Sequence, residues 1–176
     1  MPPYMQIPHY HLSKLPATTK VALTGFSLAT FAAILFSALG VYGERTGFET
    51  RRVQANFVGD ERVAQETGEA MKEMVAEKPK RHLYDIVHPH SFMMPLIYFV
   101  LTHMMEMSYA RRGVKMGLYV AGFLSMTVVT FSPLLISWRI GAAPLLTASV
   151  IVMSGVFAIM TLVPPFQMWF MTSPRS

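Results

Sequence analysis

The sequence predicts an all-α integral membrane protein, a four-transmembrane-helix bundle with a short amphipathic extramembrane helix between helices 1 and 2. Three observations predict it. Four apolar runs of about 20 residues or more alternate with polar turns, and about 20 such residues cross ~30 Å of hydrocarbon. Hydrophobic residues make up 52% of the 176 and charged residues only 14%, against about a quarter in a soluble domain. Basic residues gather in alternate polar segments, the pattern that orients a chain in a membrane. One bundle uses up the length and leaves no room for a second large domain.

Residues 1–20 form a polar leader in which Pro2, Pro3, Pro8 and Pro16 oppose a long helix. Thr18 or Thr19 is the expected cap of the helix that follows. Residues 21–43 are the first span, free of charge throughout. The leader is long and the apolar run exceeds a usual signal-peptide core, so a retained helix is expected. Residues 44–85 are the one sizeable polar segment, with eight Lys/Arg against nine Asp/Glu. Within it, residues 60–78 read as an amphipathic helix stopped by Pro79. That helix is either a solvated connector or a docking surface for a soluble electron carrier or a neighbouring subunit.

Residues 86–109 are the second span. Pro95 is accommodated if Ser91 is the N-cap, because the first-turn N–H groups lack intrahelical partners. The alternative is an earlier start with a kink at Pro95. A basic turn with Arg111, Arg112 and Lys115 leads to the third span, residues 116–138. The fourth is residues 140–163, ended by Pro164 and Pro165. Residues 164–176 are an interfacial tail carrying Phe166, Trp169 and Phe170. With the N-terminus in the cytoplasm, Lys14, Lys20, Arg111, Arg112, Lys115 and Arg175 all fall on the cytoplasmic side. The expectation is a multi-pass protein of a bacterial inner membrane with both termini cytoplasmic and the 44–85 loop periplasmic.

Chemistry concentrates on the second span. It carries His88, His90, His103, Glu106 and five methionines, and ionisable residues at membrane depth mark functional sites. His88 and His90, split by Pro89, can bind a metal, cap a haem, or hydrogen-bond a quinone or a lipid head group. Met94 lies one turn after His90 and makes a His/Met site a further option. His103 and Glu106, three residues apart, form a polar pair able to share a proton, to serve a quinone or a proton path, or simply to lock helix packing. In the packing version Glu106 reaches toward Arg111 or Arg112. His90 and His103 lie about 20 Å apart along a helix and roughly 140° apart around it, so they cannot ligate one iron. The fifteen methionines favour packing over copper.

Several classes are excluded. There is no cysteine, hence no disulfide, thiolate metal site, iron–sulfur cluster or covalent CxxCH haem within the chain. No Gly-rich phosphate loop, Ser/His/Asp set or HExxH motif is present. The net charge of +5 is accounted for by membrane orientation and implies no nucleic acid.

The order of motifs resembles a family of small four-helix bacterial inner-membrane proteins. The matching residues are Thr46-Gly47-Phe48, Phe57-Val58-Gly59-Asp60, and His88, His90, Phe92 and Met94 of an HxHxFxM entry. His103, Lys115, Ser132-Pro133 and Pro165-Phe-Gln-Met-Trp169 continue the match. The resemblance spans about residues 21–171. The Pro-rich leader and the longer polar loop depart from it. Members of that family accompany cytochromes and electron-transfer complexes. The resemblance therefore implies a non-catalytic accessory or anchoring subunit of a respiratory or photosynthetic electron-transport complex, with cytochrome-containing membrane subunits as partners. It implies no fixed cofactor: haem or quinone met at an interface, and lipids, stand ahead of copper. A small haem- or copper-binding membrane redox protein is the alternative, and a small proton- or metal-linked transporter is a second.

Overall fold

The computed structural model describes residues 12–59, 80–138 and 140–171. The predicted helix at 60–78 lies outside the described residues, as do residues 1–11 and 172–176. Every regular element among the described residues is helical.

A short 3-10 turn, Leu12–Lys14, precedes α1. Helix α1 runs Ala17–Leu35, widens into π turns over Phe36–Gly43 and closes with Glu44–Thr46. Its first span is therefore longer than hydropathy suggests. Pro16, not a threonine, stands at the N-cap: its extended backbone enters the helix and its carbonyl accepts the Lys20 N–H at 3.0 Å. Gly47 (φ 58°) and Phe48 (φ 59°) then turn the chain, with Gly47 as a left-handed C-cap.

Helix α2, Thr50–Val58, is an element that the sequence reading left inside a polar loop. It buries Val53, Ala55 and Phe57 and ends at Gly59. Val53 and Phe57, one turn apart, press on Leu83, Ile136, Ala142, Ala143, Leu146 and Val150 to close one end of the bundle.

Helix α3, Lys80–Glu106, starts six residues before the predicted second span and takes both Pro89 and Pro95 into its interior. Ser91 is thus no N-cap; its hydroxyl donates to the His88 carbonyl at 2.7 Å. Each proline removes one backbone N–H, a cost of order 3 kcal/mol in a helix interior. Packing of Leu83 and Val87 below the prolines and of Leu101, Met104 and Met105 above them holds the helix together.

Helix α4, Arg112–Ser137, buries Gly122, Met126, Pro133 and Ile136 along one stripe. Helix α5, Ala143–Phe170, does not stop at Pro164 and Pro165 as expected. It passes through both because Met160, Thr161, Pro164, Gln167 and Met168 are all buried against neighbours. The tail predicted from 164 is consequently helical as far as Phe170. Leu146, Val150, Phe157, Met160, Pro164 and Met168 form an i, i+3/i+4 stripe, and α5 packs against α1, α2, α3 and α4. It is the central strut of the fold.

Side-chain hydroxyls are satisfied locally. Ser125, Thr127, Ser132, Ser154 and Thr161 all donate to carbonyls four residues back. That arrangement suits hydrocarbon, where water is not available to hydrogen-bond them. Three helices, Ala17–Thr46, Arg112–Ser137 and Ala143–Phe170, are long and apolar enough to cross a membrane. Helix α3 has the length, but its histidines and prolines make it less apolar.

Candidate functional site

Helix periodicity divides α3 into two faces. The inward face carries Leu83, Val87, Leu101, Met104 and Met105, all buried. The outward face carries Asp85, His88, Phe92, Leu96, Phe99, His103 and Glu106, every one exposed. Read along the helix, this outward stripe is acid, imidazole, phenyl, leucine, phenyl, imidazole, acid. The same chemistry recurs in reverse on either side of Leu96. His88 sits edge-on to Phe92 with ring centroids 5.3 Å apart, and His103 lies 4.4 Å from the Phe99 ring. The two imidazoles are about 22 Å apart along the axis at 1.5 Å per residue.

The structure does not unite His88 and His90. With Pro89 inside the helix, the two positions point roughly 200° apart, since residues two apart on a helix do not face each other. His90 places Nδ1 2.7 Å from the Ile86 carbonyl. Met94 turns inward and packs against the cluster of Leu101, Met105, Met126, Val156, Phe157 and Met160. His90 and Met94 therefore belong to different surroundings. Among the described residues no group of three His, Asp or Glu side chains is placed to hold a metal ion.

His103 and Glu106 share a face but bond elsewhere. His103 Nδ1 lies 3.3 Å from the Phe99 carbonyl. Glu106 Oε2 accepts the Tyr119 hydroxyl at 3.0 Å, and Oε1 is 4.0 Å from Lys115 Nζ, which also donates to the Glu106 carbonyl. The expected reach toward Arg111 or Arg112 is replaced by this pairing with α4. One and two turns into α4, Lys115 and Tyr119 lie beside α3, whereas Arg111 and Arg112 are exposed at the turn.

Tyr119 and Tyr98 are functional-surface residues that the sequence reading missed. Tyr119 Oη also lies 3.2 Å from the Thr102 carbonyl, and Tyr98 Oη donates to the Tyr119 carbonyl. Two tyrosines thus clasp α3 and α4 reciprocally beneath Glu106. A carboxylate at the end of an apolar stretch needs donors, which was the signal to look for hydroxyls on the next helix.

The same end of the bundle is tied by longer-range bonds. Gln167 Oε1 accepts the Tyr109 N–H at 2.7 Å, and the Ser13 and Tyr109 hydroxyls meet at 2.9 Å. Trp169 Nε1 donates to Thr24 at 3.0 Å, with Lys20 Nζ 5.8 Å from the ring centre.

A family model, Aq_1264_TM, described as a transmembrane helical domain, matches residues 47–175. The chain belongs to that family. The matched stretch takes in α2, α3, α4 and α5, so the outward face of α3 lies wholly within it. No curated protein and no solved structure matches the chain. Family membership and three spanning helices make it a multi-pass membrane protein.

Proposed function

We propose that the chain is a non-catalytic accessory subunit of a membrane electron-transport complex and docks on its neighbours through the outward face of α3. One observation carries the reading. On α1, α4 and α5 the outward residues within the spans are mostly apolar, such as Val21, Leu28, Phe123, Leu124, Ile151 and Ile159. On α3 the outward face bears His88 and His103 about 22 Å apart. A lipid-facing stripe that short falls below the ~30 Å of hydrocarbon, so lipid alone would bury imidazole. A protein neighbour supplies the polar contacts that lipid lacks.

In this reading α3 is the fourth span and crosses beside α4. The end holding Lys14, Lys20, Arg111, Arg112 and Lys115 is cytoplasmic, and α2 lies on the periplasmic side of an inner membrane. The electron-transport context is supported by the resemblance in motif order around His88, His90, Phe92, Met94 and His103. Gentle detergent extraction followed by identification of co-purifying chains tests the proposal. Cytochrome-containing membrane subunits are the expected companions. A stable monomer with no companion overturns it.

A further inference from the structure

We propose that the end of the bundle where the Leu12–Lys14 turn, the turn after α3 and the last turn of α5 meet binds the phosphate of an anionic phospholipid head group. Hydrogen bonds bring the three segments together. The Ser13 and Tyr109 hydroxyls meet at 2.9 Å, and Gln167 Oε1 accepts the Tyr109 N–H at 2.7 Å. Lys20 Nζ donates to the Ser13 carbonyl at 2.9 Å and stands 5.8 Å from the centre of the Trp169 ring, whose Nε1 donates to Thr24. Leu12, Met104 and Met168 are buried together in the same region, so the N-terminal turn is seated on the bundle. Lys14 is exposed on that turn, and Arg111 and Arg112 are exposed just beyond Tyr109.

Charge and place name the occupant. Lys14, Lys20, Arg111 and Arg112 have no acid as a partner among the described residues. The one acid at this end, Glu106, is taken by Tyr119 and Lys115. The chain holds no other in reserve there. Residues 1–11 and 172–176 contain no Asp or Glu, and the other nine acids lie in residues 44–85, which lead into the opposite end of α3. The counter-charge therefore comes from outside the chain. At 1.5 Å per residue the 28 residues of α5 extend about 42 Å, beyond the ~30 Å of hydrocarbon, so the last turn with Trp169 reaches the head groups. Lys20, in the first turn of α1 and beside that ring, shares the level. The anion always present there is the lipid phosphate, and clustered Lys and Arg at the membrane surface favour anionic lipids. An ammonium has three N–H donors and the Ser13 carbonyl takes one, so Lys20 keeps donors for a phosphate oxygen. This site stands whether or not α3 docks on a neighbour.

Tryptophan fluorescence tests the proposal. In the full chain carrying Trp138→Phe, Trp169 is the single tryptophan. In Trp169→Phe, Trp138 reports from the far end of α4. Each protein is reconstituted in phosphatidylcholine vesicles, and quenching is measured as brominated phosphatidylglycerol or brominated phosphatidylcholine is mixed in. At Trp169 the brominated phosphatidylglycerol is expected to bind about fivefold more tightly than the phosphatidylcholine, the preference that one basic contact near the surface supplies. Trp138 is expected to be quenched equally by both. Lys20→Gln combined with Arg111→Gln and Arg112→Gln is expected to bring Trp169 to equal quenching as well. Equal quenching of Trp169 before any charge is removed overturns the proposal, and that comparison holds even if the glutamine variant fails to insert. A preference shared by Trp138 overturns it too, as does one that survives the three glutamines. So does a preference abolished by millimolar inorganic phosphate but not by chloride of equal ionic strength, since the site would then be one for the free anion.

Discussion

Tyr119 donates its hydroxyl to Glu106 across the α3–α4 contact at 3.0 Å. Nine of the chain's ten acids lie in residues 44–85, so this bond serves the one carboxylate outside that segment. A charge on the rim of an apolar helix is thereby tied to its own bundle. The neighbouring imidazole of His103 is left as the outward-facing polar group.

Tyr119→Phe removes the donor shared by Glu106 and the Thr102 carbonyl. Glu106 is well exposed, so the expected loss is at the low end of hydrogen bonds to charged groups, about 1 kcal/mol. A lowered thermal midpoint in detergent is the readout. An unchanged midpoint would show that the bond contributes nothing.

Gly122 marks a close approach of α4 to α3 and α5. A Cβ there would lie 2.9 Å from Tyr98 Cε2 and 3.2 Å from Val156 Cγ1. Tyr98 cannot swing aside freely, because its hydroxyl is bonded to the Tyr119 carbonyl. Gly122→Ala is expected to destabilise by about 1–3 kcal/mol through overpacking. Gly155→Ala, with nothing within 4 Å, is expected to be neutral or slightly stabilising. Equal midpoints for the two variants would contradict this packing.

Gln167 is buried and takes the Tyr109 N–H just after α3 ends. Gln167→Leu keeps the apolar bulk and removes that acceptor. The expected cost is about 1–3 kcal/mol, accompanied by faster hydrogen exchange at the Tyr109 amide. Exchange at the wild-type rate would mean that Gln167 does not hold this turn.

The chain has no cysteine, so single cysteines report topology without background. Arg81→Cys and Arg111→Cys place thiols at exposed positions near the two ends of α3. A membrane-impermeant maleimide on intact cells is expected to label position 81 and to spare position 111 until the membrane is opened. Labelling of both from one side would show that α3 does not cross.

The helices of the bundle were legible in the sequence because an apolar run long enough to span hydrocarbon has few other uses. Their ends were not. Pro164 and Pro165 read as an end and Pro95 as a first-turn residue or a kink, yet each of these lies inside a helix, as does Pro89, since a proline's local penalty is offset by side chains buried on either side of it. Helix α2 was missed because its apolar signal is short, Val53, Ala55, Phe57 and Val58 among polar neighbours. The ionisable residues of α3 were legible from composition, and the helical period places His88 and His103 on one face. What single-helix spacing could not supply was the bond from Glu106 to Tyr119, which depends on how α4 lies beside α3.

The central position of α5 bears on how the protein is made. Ribosomal synthesis delivers α1 first and α5 last, yet α1 packs chiefly on α5. Until the final helix emerges, α1 waits in the bilayer without its main support, and Ser27 and Thr30 have no complete interior to enter. A nascent chain cut short before Ala143 could still form the α3–α4 contact but would leave α1 without its main packing partner. The surface of α1 that α5 covers stays open until α5 is made, so the packing of the bundle closes only with the last of the described helices.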